Sequence, residues 1–172
     1  MIQNFLMRLL QAFALLALQV LILNNIHLMG FGTPLAYVAL LLYFPLGTSR
    51  VSTMLWGFSL GLAADIFSGT TGMGAAAMVF AAFWQQPILS AMVPKDAIED
   101  VTPNYTTMGT WNHIRYCLLL LALHHIIYFS LESFSFYHLT DTLLSFACSM
   151  CTTLAITLAL ETMRGRKKLT DE

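Results

Sequence analysis

The sequence contains several long apolar segments, and the first of them limits the possible folds most strongly. Residues from Phe5 to Leu23 include a single charged side chain, Arg8, near the start of the run. This length matches the roughly 20 apolar residues that a helix needs to cross the hydrocarbon core of a bilayer. It exceeds the apolar region of a secretory signal peptide, about 7–15 residues, and no small-residue cleavage site follows it. We therefore interpret it as a retained first transmembrane helix.

Further apolar segments continue to the end of the chain. The sequence predicts an all-α integral membrane protein with one transmembrane domain, residues 1–172, built as a bundle of six helices, or of five. The predicted spans are residues 5–24, 34–47, 51–67, 73–93, 113–130 and 142–162, followed by a basic tail at 163–172. The second span would reach only about 20 Å as a helix, which is short of the hydrocarbon core. The second and third spans form either a tight helical hairpin or a partly re-entrant structure.

The positions of the lysines and arginines support an even number of crossings. With six spans, all eight positive side chains fall at one face of the membrane: Arg8, Arg50, Lys95, Arg115, Arg164, Arg166, Lys167 and Lys168. The loops at the other face contain neither lysine nor arginine. The positive-inside rule predicts that the basic face is cytoplasmic and that both termini lie inside. We interpret the last four basic residues as a topology anchor, with binding to anionic lipid or to a partner protein as the alternative.

The composition excludes several classes of function. Hydrophobic residues make up 58 % of the chain and charged residues 10 %, with a mean hydropathy of +0.71. An ordinary soluble domain has roughly 25 % charged residues. The net charge of −1 provides no basic surplus for phosphate groups. A soluble enzyme, a disordered chain and a nucleic-acid-binding protein are therefore not expected.

The segment from Gly57 to Ala77 has the densest group of glycines and polar residues. Gly57, Gly61 and Asp65 follow one another at intervals of four and so share one helix face, and glycines at this spacing let a second helix approach closely. An ionisable side chain within a membrane is a candidate functional site. Asp65 is predicted to be the only acid near the membrane interior. We expect its carboxylate to accept hydrogen bonds from N–H groups of the turn or of the start of span four.

The glycines after Asp65 are expected to form a turn and a second small-residue face. Gly69 and Gly72 suit turn positions with positive φ, and Gly74 begins the small-residue face of span four. The segment is either a turn that binds a partner or ligand, or a tightly packed hairpin in which the aspartate only caps a helix. The candidate residues for a partner interface or an ordered outer turn are Gly57, Gly61, Asp65, Gly69, Gly72 and Gly74.

The remaining reactive side chains do not form a recognisable catalytic or metal site in the sequence. Cys148 and Cys151 have C-x-x-C spacing, but they lie in an apolar run without further zinc ligands or a polar setting. His124 and His125 are interpreted as helix-packing or interfacial residues, with an outer metal site of His125, Glu132, His138 and Asp141 as the alternative. We predict no enzyme activity, no catalytic residue, no metal and no cofactor. A single buried acid does not suggest active transport.

The run Gly61-Leu-Ala-Ala-Asp65-Ile-Phe-Ser-Gly69-Thr-Thr-Gly72, the alanine-rich fourth span and the basic tail resemble the rod shape-determining protein MreD family. The resemblance implies a non-enzymatic multi-pass component of the cell-elongation complex in the bacterial inner membrane, surrounded by lipid. It implies binding to the bitopic protein MreC, which links MreB filaments to peptidoglycan synthesis. Further partners implied are a RodA-type glycosyltransferase and a penicillin-binding transpeptidase.

A transporter subunit is the second hypothesis, because the MreD family is also thought to resemble the substrate-binding subunits of energy-coupling-factor transporters. That function needs a polar cavity that opens outward and is lined by Asp65, Glu132 or Asp141. The scaffold hypothesis instead predicts that Gly61→Leu releases a partner while the protein stays inserted.

Overall fold

The computed structural model of the protein describes residues 2–25, 32–70, 72–93, 102–133 and 139–170, and the regular elements in these ranges are helices. The α-helices are α1 (Ile2–Leu21), α2 (Ala39–Leu42), α3 (Arg50–Ser68), α4 (Met73–Met92), α5 (Tyr105–Met108), α6 (Thr110–Glu132) and α7 (Leu139–Thr170). Short 3₁₀ helices cover Leu23–Asn25 and Ala36–Val38.

Five of these helices, α1, α3, α4, α6 and α7, are long and apolar enough to cross a membrane. The protein is therefore an all-α, multi-pass membrane protein, as the sequence predicts. The predicted limits of spans three to five agree with α3, α4 and α6 to within three residues, and α7 begins three residues before the predicted start of span six. Helix α7 continues to Thr170, through most of the basic tail predicted at 163–172.

The helix predicted for residues 34–47 is the main correction. Only residues 36–42 are helical, first as 3₁₀ and then as α2, and seven helical residues extend only about 10 Å. This stretch is enclosed by the bundle, since Ala36 and the residues from Val38 to Leu42 have no solvent exposure. The described residues therefore contain five helices that are long enough to cross a membrane, which is the smaller of the two numbers predicted.

The chain nevertheless crosses the bundle in this segment. Helices α1 and α3 run in the same direction, because the Phe5 and Trp56 rings lie 5.4 Å apart near their starts and Asn24 donates to Ser68 near their ends. The connection from the end of α1 to the start of α3 must therefore return across the bundle. It places Phe44 under the Arg8 guanidinium, 4.7 Å from the ring centroid.

This return places three of the described arginines at one end of the bundle. Arg8 and Arg50 lie at the starts of the parallel helices α1 and α3. Arg115 joins them, because Tyr116 beside it on α6 bonds to Gln85 in the second half of α4. The basic residues of α7 follow Glu161, which contacts His113 near the start of α6 at the same end. Lys95 lies outside the described residues.

Polar side chains satisfy the non-helical backbone of the buried crossing. Backbone N–H and C=O groups within a membrane need partners, because no water is present to bind them. At one end, Gln19 donates to the Pro34 carbonyl and accepts from the Ala36 N–H, both at 2.9 Å. At the other end, Gln85 Nε2 donates to the Phe44 carbonyl at 3.2 Å and Gln86 Nε2 to the Pro45 carbonyl at 3.1 Å. These glutamines interrupt apolar runs in the sequence because the crossing needs them.

Helix α7 provides the remaining partners of this segment. Ser149 Oγ accepts from the Thr33 N–H at 3.1 Å, and Thr153 Oγ1 accepts from the Leu35 N–H at 2.9 Å. The crossing is therefore held between α1, α4 and α7 by side-chain hydrogen bonds as well as by its apolar residues.

We expect Gln19→Met to destabilise the protein by about 2 kcal/mol, because two buried backbone groups lose their partner while the side-chain volume is kept. The free energy of unfolding in detergent micelles, measured by denaturant titration, checks this value. Gln11→Met, two turns earlier on α1 and half-buried, is the control and should change stability by less than about 0.5 kcal/mol. Equal losses in the two variants would contradict the role of Gln19.

Candidate functional site

The Asp65 carboxylate is bound by its own chain at the turn between α3 and α4. Its Oδ1 accepts from the Gly74 N–H at 2.9 Å and from the Thr70 hydroxyl at 2.6 Å, and its Oδ2 accepts from the Ala75 N–H at 2.8 Å. The first N–H groups of a helix have no partner within the helix. A carboxylate there also interacts favourably with the helix dipole. The predicted hydrogen bonds from the start of span four are confirmed.

The turn itself uses glycine where the backbone requires it. Helix α3 ends at Ser68 and is capped by Gly69 with φ 70°, whose N–H bonds to the Asp65 carbonyl, and α4 begins after Gly72 with φ 80°. Positive φ at these two positions confirms the sequence prediction. Among the described residues, neither glycine has a neighbour within 4 Å of an added Cβ.

The glycine face of α3 packs against α4 of the same chain. A Cβ on Gly61 would lie 2.7 Å from Ala75 Cα and 2.8 Å from the Gly74 carbonyl oxygen. A Cβ on Gly57 would lie 3.2 Å from the Met78 carbonyl oxygen. Only glycine allows this separation of the two helices, so the face is not available to a partner protein.

Gly74 has the same role on α4. A Cβ there would lie 2.6 Å from Asp65 Oδ1 and 2.8 Å from the Tyr37 hydroxyl oxygen. The missing side chain therefore lets the carboxylate reach the start of α4, and it brings Tyr37 of the buried crossing next to the site. Of the two interpretations of this segment, the tightly packed hairpin with an aspartate cap describes the geometry.

The arrangement also limits what Asp65 can bind. The residue is 3 % exposed, and both carboxylate oxygens accept short hydrogen bonds. A ligand would have to displace the N–H groups of Gly74 and Ala75 to reach it. Asp65, one of the three acids that the transporter hypothesis offered for lining a cavity, therefore does not line an open one. Glu132, the second acid named in that hypothesis, is exposed at the end of α6.

Two buried ionisable residues were missed in the sequence. Glu161 is 3 % exposed and His113 is fully buried, with His113 Nε2 3.8 Å from Glu161 Oε2. Glu161 is therefore a second acid buried within the bundle, in addition to Asp65, and the sequence prediction did not include it. A signal was present, because polar residues recur at intervals of four on α7 and all face inward: Ser149, Thr153, Thr157 and Glu161.

The two central histidines are both buried. His125 Nδ1 lies 2.8 Å from the Leu121 carbonyl oxygen and its Nε2 lies 3.3 Å from Thr153 Oγ1. The His124 ring packs edge-on against Tyr37 at 5.5 Å and stacks with Tyr128 at 6.1 Å. The contacts of His125 agree with a helix-packing role, whereas neither ring nitrogen of His124 has a hydrogen-bond partner among the described residues. His138 of the alternative metal site lies outside the described residues.

Among the described residues, no group of three or more His, Cys, Asp or Glu side chains is arranged to hold a metal ion. The three cysteines are free thiols, with Cys117 buried, Cys148 half-buried and Cys151 exposed. The C-x-x-C pair thus lies across a helix surface instead of forming a pocket.

Two apolar grooves lie on the outside of the bundle. The first, about 530 Å³, runs between α1 and α3 and includes Phe13, Trp56 and the small residues Ala12, Ser59 and Ala63. The second, about 670 Å³, runs between α3 and α4 and includes Phe58, Val79 and Phe83.

No protein-family model, curated protein or solved structure matches the chain significantly. The likeness to the MreD family therefore depends on the residues of the α3–α4 hairpin and on the layout of the spans.

Proposed function

We propose that the protein is a non-enzymatic membrane scaffold of the MreD type, which binds a bitopic MreC-like protein in the bacterial inner membrane. Through that partner it links MreB filaments to peptidoglycan synthesis. The observation that carries the proposal is the hairpin from Gly57 to Ala77. The run that resembles the family forms one closed unit, in which Asp65 and the glycines hold α3 against α4.

This use of Asp65 favours a scaffold over a substrate-binding subunit. A transport site needs polar groups that face a cavity and are free to bind. The Asp65 carboxylate instead accepts three hydrogen bonds from its own chain. A rigid bundle that presents fixed outer surfaces fits a protein that acts through its partners.

The groove between α1 and α3 is the proposed docking surface for the single transmembrane helix of that partner. The other helices cover little of α1, since only 22 % of its most apolar stretch is buried within the bundle. Ala12, Ser59 and Ala63 lie in the groove between larger side chains, and small residues let a second helix approach closely. A bitopic partner offers one such helix.

Photo-crosslinking in native cells tests the proposal. A crosslinking residue at Ser59 lies in the α1–α3 groove and is exposed. We expect it to capture a bitopic membrane protein identified by mass spectrometry as MreC-like. The control is Leu119, which is 41 % exposed on α6 and belongs to neither groove, and which should capture no such protein.

A third position, Val79 in the α3–α4 groove, separates the two parts of the proposal. Capture of the MreC-like protein there, and not at Ser59, would keep the scaffold function and move the docking surface. Capture of the membrane subunit of an ATP-driven transporter at either position would contradict the scaffold function.

A further inference from the structure

A second polar group lies inside the bundle at the opposite end from Asp65, between the start of α6 and the last turns of the membrane-spanning part of α7. His113 has no exposure and Glu161 is 3 % exposed. His113 Nε2 lies 3.8 Å from Glu161 Oε2. Ionisable side chains that face the interior of a membrane bundle mark sites that bind protons or ions. Nothing in the scaffold proposal uses this pair.

The surroundings of the pair are also polar. On α6, Cys117 Sγ lies 3.5 Å from His113 Nε2, so this nitrogen faces both the thiol and the carboxylate. On α5, the Tyr105 ring covers His113, with the ring centroids 4.4 Å apart. Burial, followed by the nearby Cys117 and Glu161, raises the pKa of Tyr105 from its ordinary value.

Helix α4 contributes an amide to the same region. Gln85 Nε2 donates to the Tyr116 hydroxyl at 3.1 Å, beside Cys117. Among the described residues, the titratable groups in contact with His113 are Tyr105, Cys117 and Glu161, and Tyr116 lies beside Cys117 in the sequence. Arg115 follows His113 by two residues in the sequence. Its guanidinium lies over the exposed Trp111 ring, 5.2 Å from the ring centroid.

Two buried atoms beside the pair have no hydrogen-bond partner among the described residues. They are His113 Nδ1 and the hydroxyl of Thr157, one turn before Glu161 on the same face of α7. Buried polar groups in proteins almost always have a partner, and ordered water commonly provides it.

We propose that His113 and Glu161 form a proton-binding site that holds one exchangeable proton within the bundle. The proton resides either on the Glu161 carboxyl, beside a neutral imidazole, or on His113 Nε2, beside an ionised carboxylate 3.8 Å away, so the pair carries no net charge in either arrangement. In water at about pH 8, free histidine is neutral and free glutamate is ionised, so an unfolded pair holds no proton. The proposal concerns the α6–α7 interface alone and does not depend on the scaffold function.

NMR of the purified full chain in lipid nanodiscs, with ¹⁵N-labelled histidine and ¹³C-labelled glutamate, tests the proposal. At about pH 8 we expect either a protonated Glu161 carboxyl or a His113 imidazolium. Glu161→Gln assigns the signal by removing it, and Glu132→Gln, at the exposed end of the same α6 helix, should leave it unchanged. If Glu161 is ionised and His113 is neutral in the wild-type protein at this pH, the proposal is overturned, whatever the variants show.

Thermal unfolding gives a second test. Because the folded protein binds one proton more than the unfolded chain above about pH 6.5, stability should fall as the pH rises from about 7 to 9. We expect the shift in Tm over this range to be larger in the wild type and in Glu132→Gln than in Glu161→Gln. The same shift in all three proteins would contradict the site.

Discussion

Gly61→Leu is expected to disrupt the α3–α4 hairpin. Any Cβ at this position meets the backbone of α4, with Ala75 Cα at 2.7 Å and the Ala75 nitrogen at 2.9 Å. Backbone atoms cannot move aside as a flexible side chain can, so the helices must separate. Overpacking in a well-packed core costs about 1–3 kcal/mol, and contact with backbone places this variant at about 3 kcal/mol or more. The measurement is the free energy of unfolding in detergent micelles.

Ser59→Leu is the matched control for this prediction. It adds a leucine two residues away on the same helix, at an exposed position, and should change stability by less than about 0.5 kcal/mol. This result would correct the sequence-based expectation that Gly61→Leu releases a partner from an otherwise intact protein. A Gly61→Leu protein as stable as the wild type would show that the hairpin is not packed as described.

Asp65→Ala is expected to destabilise the protein by about 3 kcal/mol. The substitution leaves the N–H groups of Gly74 and Ala75 buried without an acceptor and removes the partner of the Thr70 hydroxyl. Hydrogen bonds to charged groups contribute about 1.5–3 kcal/mol each, and unsatisfied buried donors add a desolvation cost. Chemical unfolding of the variant and the wild type in the same micelles provides the measurement.

Asp65→Asn distinguishes the cap from other roles of the residue. The amide keeps one acceptor oxygen but directs an NH₂ group at an N–H group of α4, so we expect a loss close to that of alanine. Glu132→Gln is the control, because it neutralises an exposed acid at the end of α6. If Asp65→Asn and Glu132→Gln were equally stable, Asp65 would not serve as a cap.

The hairpin could be predicted from the sequence because its determinants are local. Gly57, Gly61 and Asp65 share a face by spacing alone, and the turn glycines follow within a few residues. A short connection places the start of α4 beside the end of α3. The hydrogen bonds of Asp65 follow from this proximity. The proximity does not determine whether the glycine face packs against a helix of the same chain or against a partner protein. That outcome depends on which helix fills the glycine face.

The second crossing and the His113–Glu161 pair could not be predicted in the same way. An apolar run such as residues 34–47 predicts burial in lipid or in protein equally well, and its enclosure depends on Gln19, Gln85 and Thr153 from three other helices. Glu161 falls at the end of the predicted span 142–162, and its contact with His113 has no local signal because His113 lies on another helix, far away in the sequence. Hydropathy describes each helix alone and does not indicate which faces meet.

Hydrogen exchange at the start of α4 tests the central claim, that the buried aspartate serves the fold and does not bind a ligand. The first N–H groups of a helix exchange quickly unless a side chain binds them. In the wild type without added ligand, we expect slow exchange at the Gly74 and Ala75 amides, and in Asp65→Ala we expect fast exchange at both. Fast exchange of these two amides in the wild type would contradict the account, because the carboxylate would then be free to bind something else.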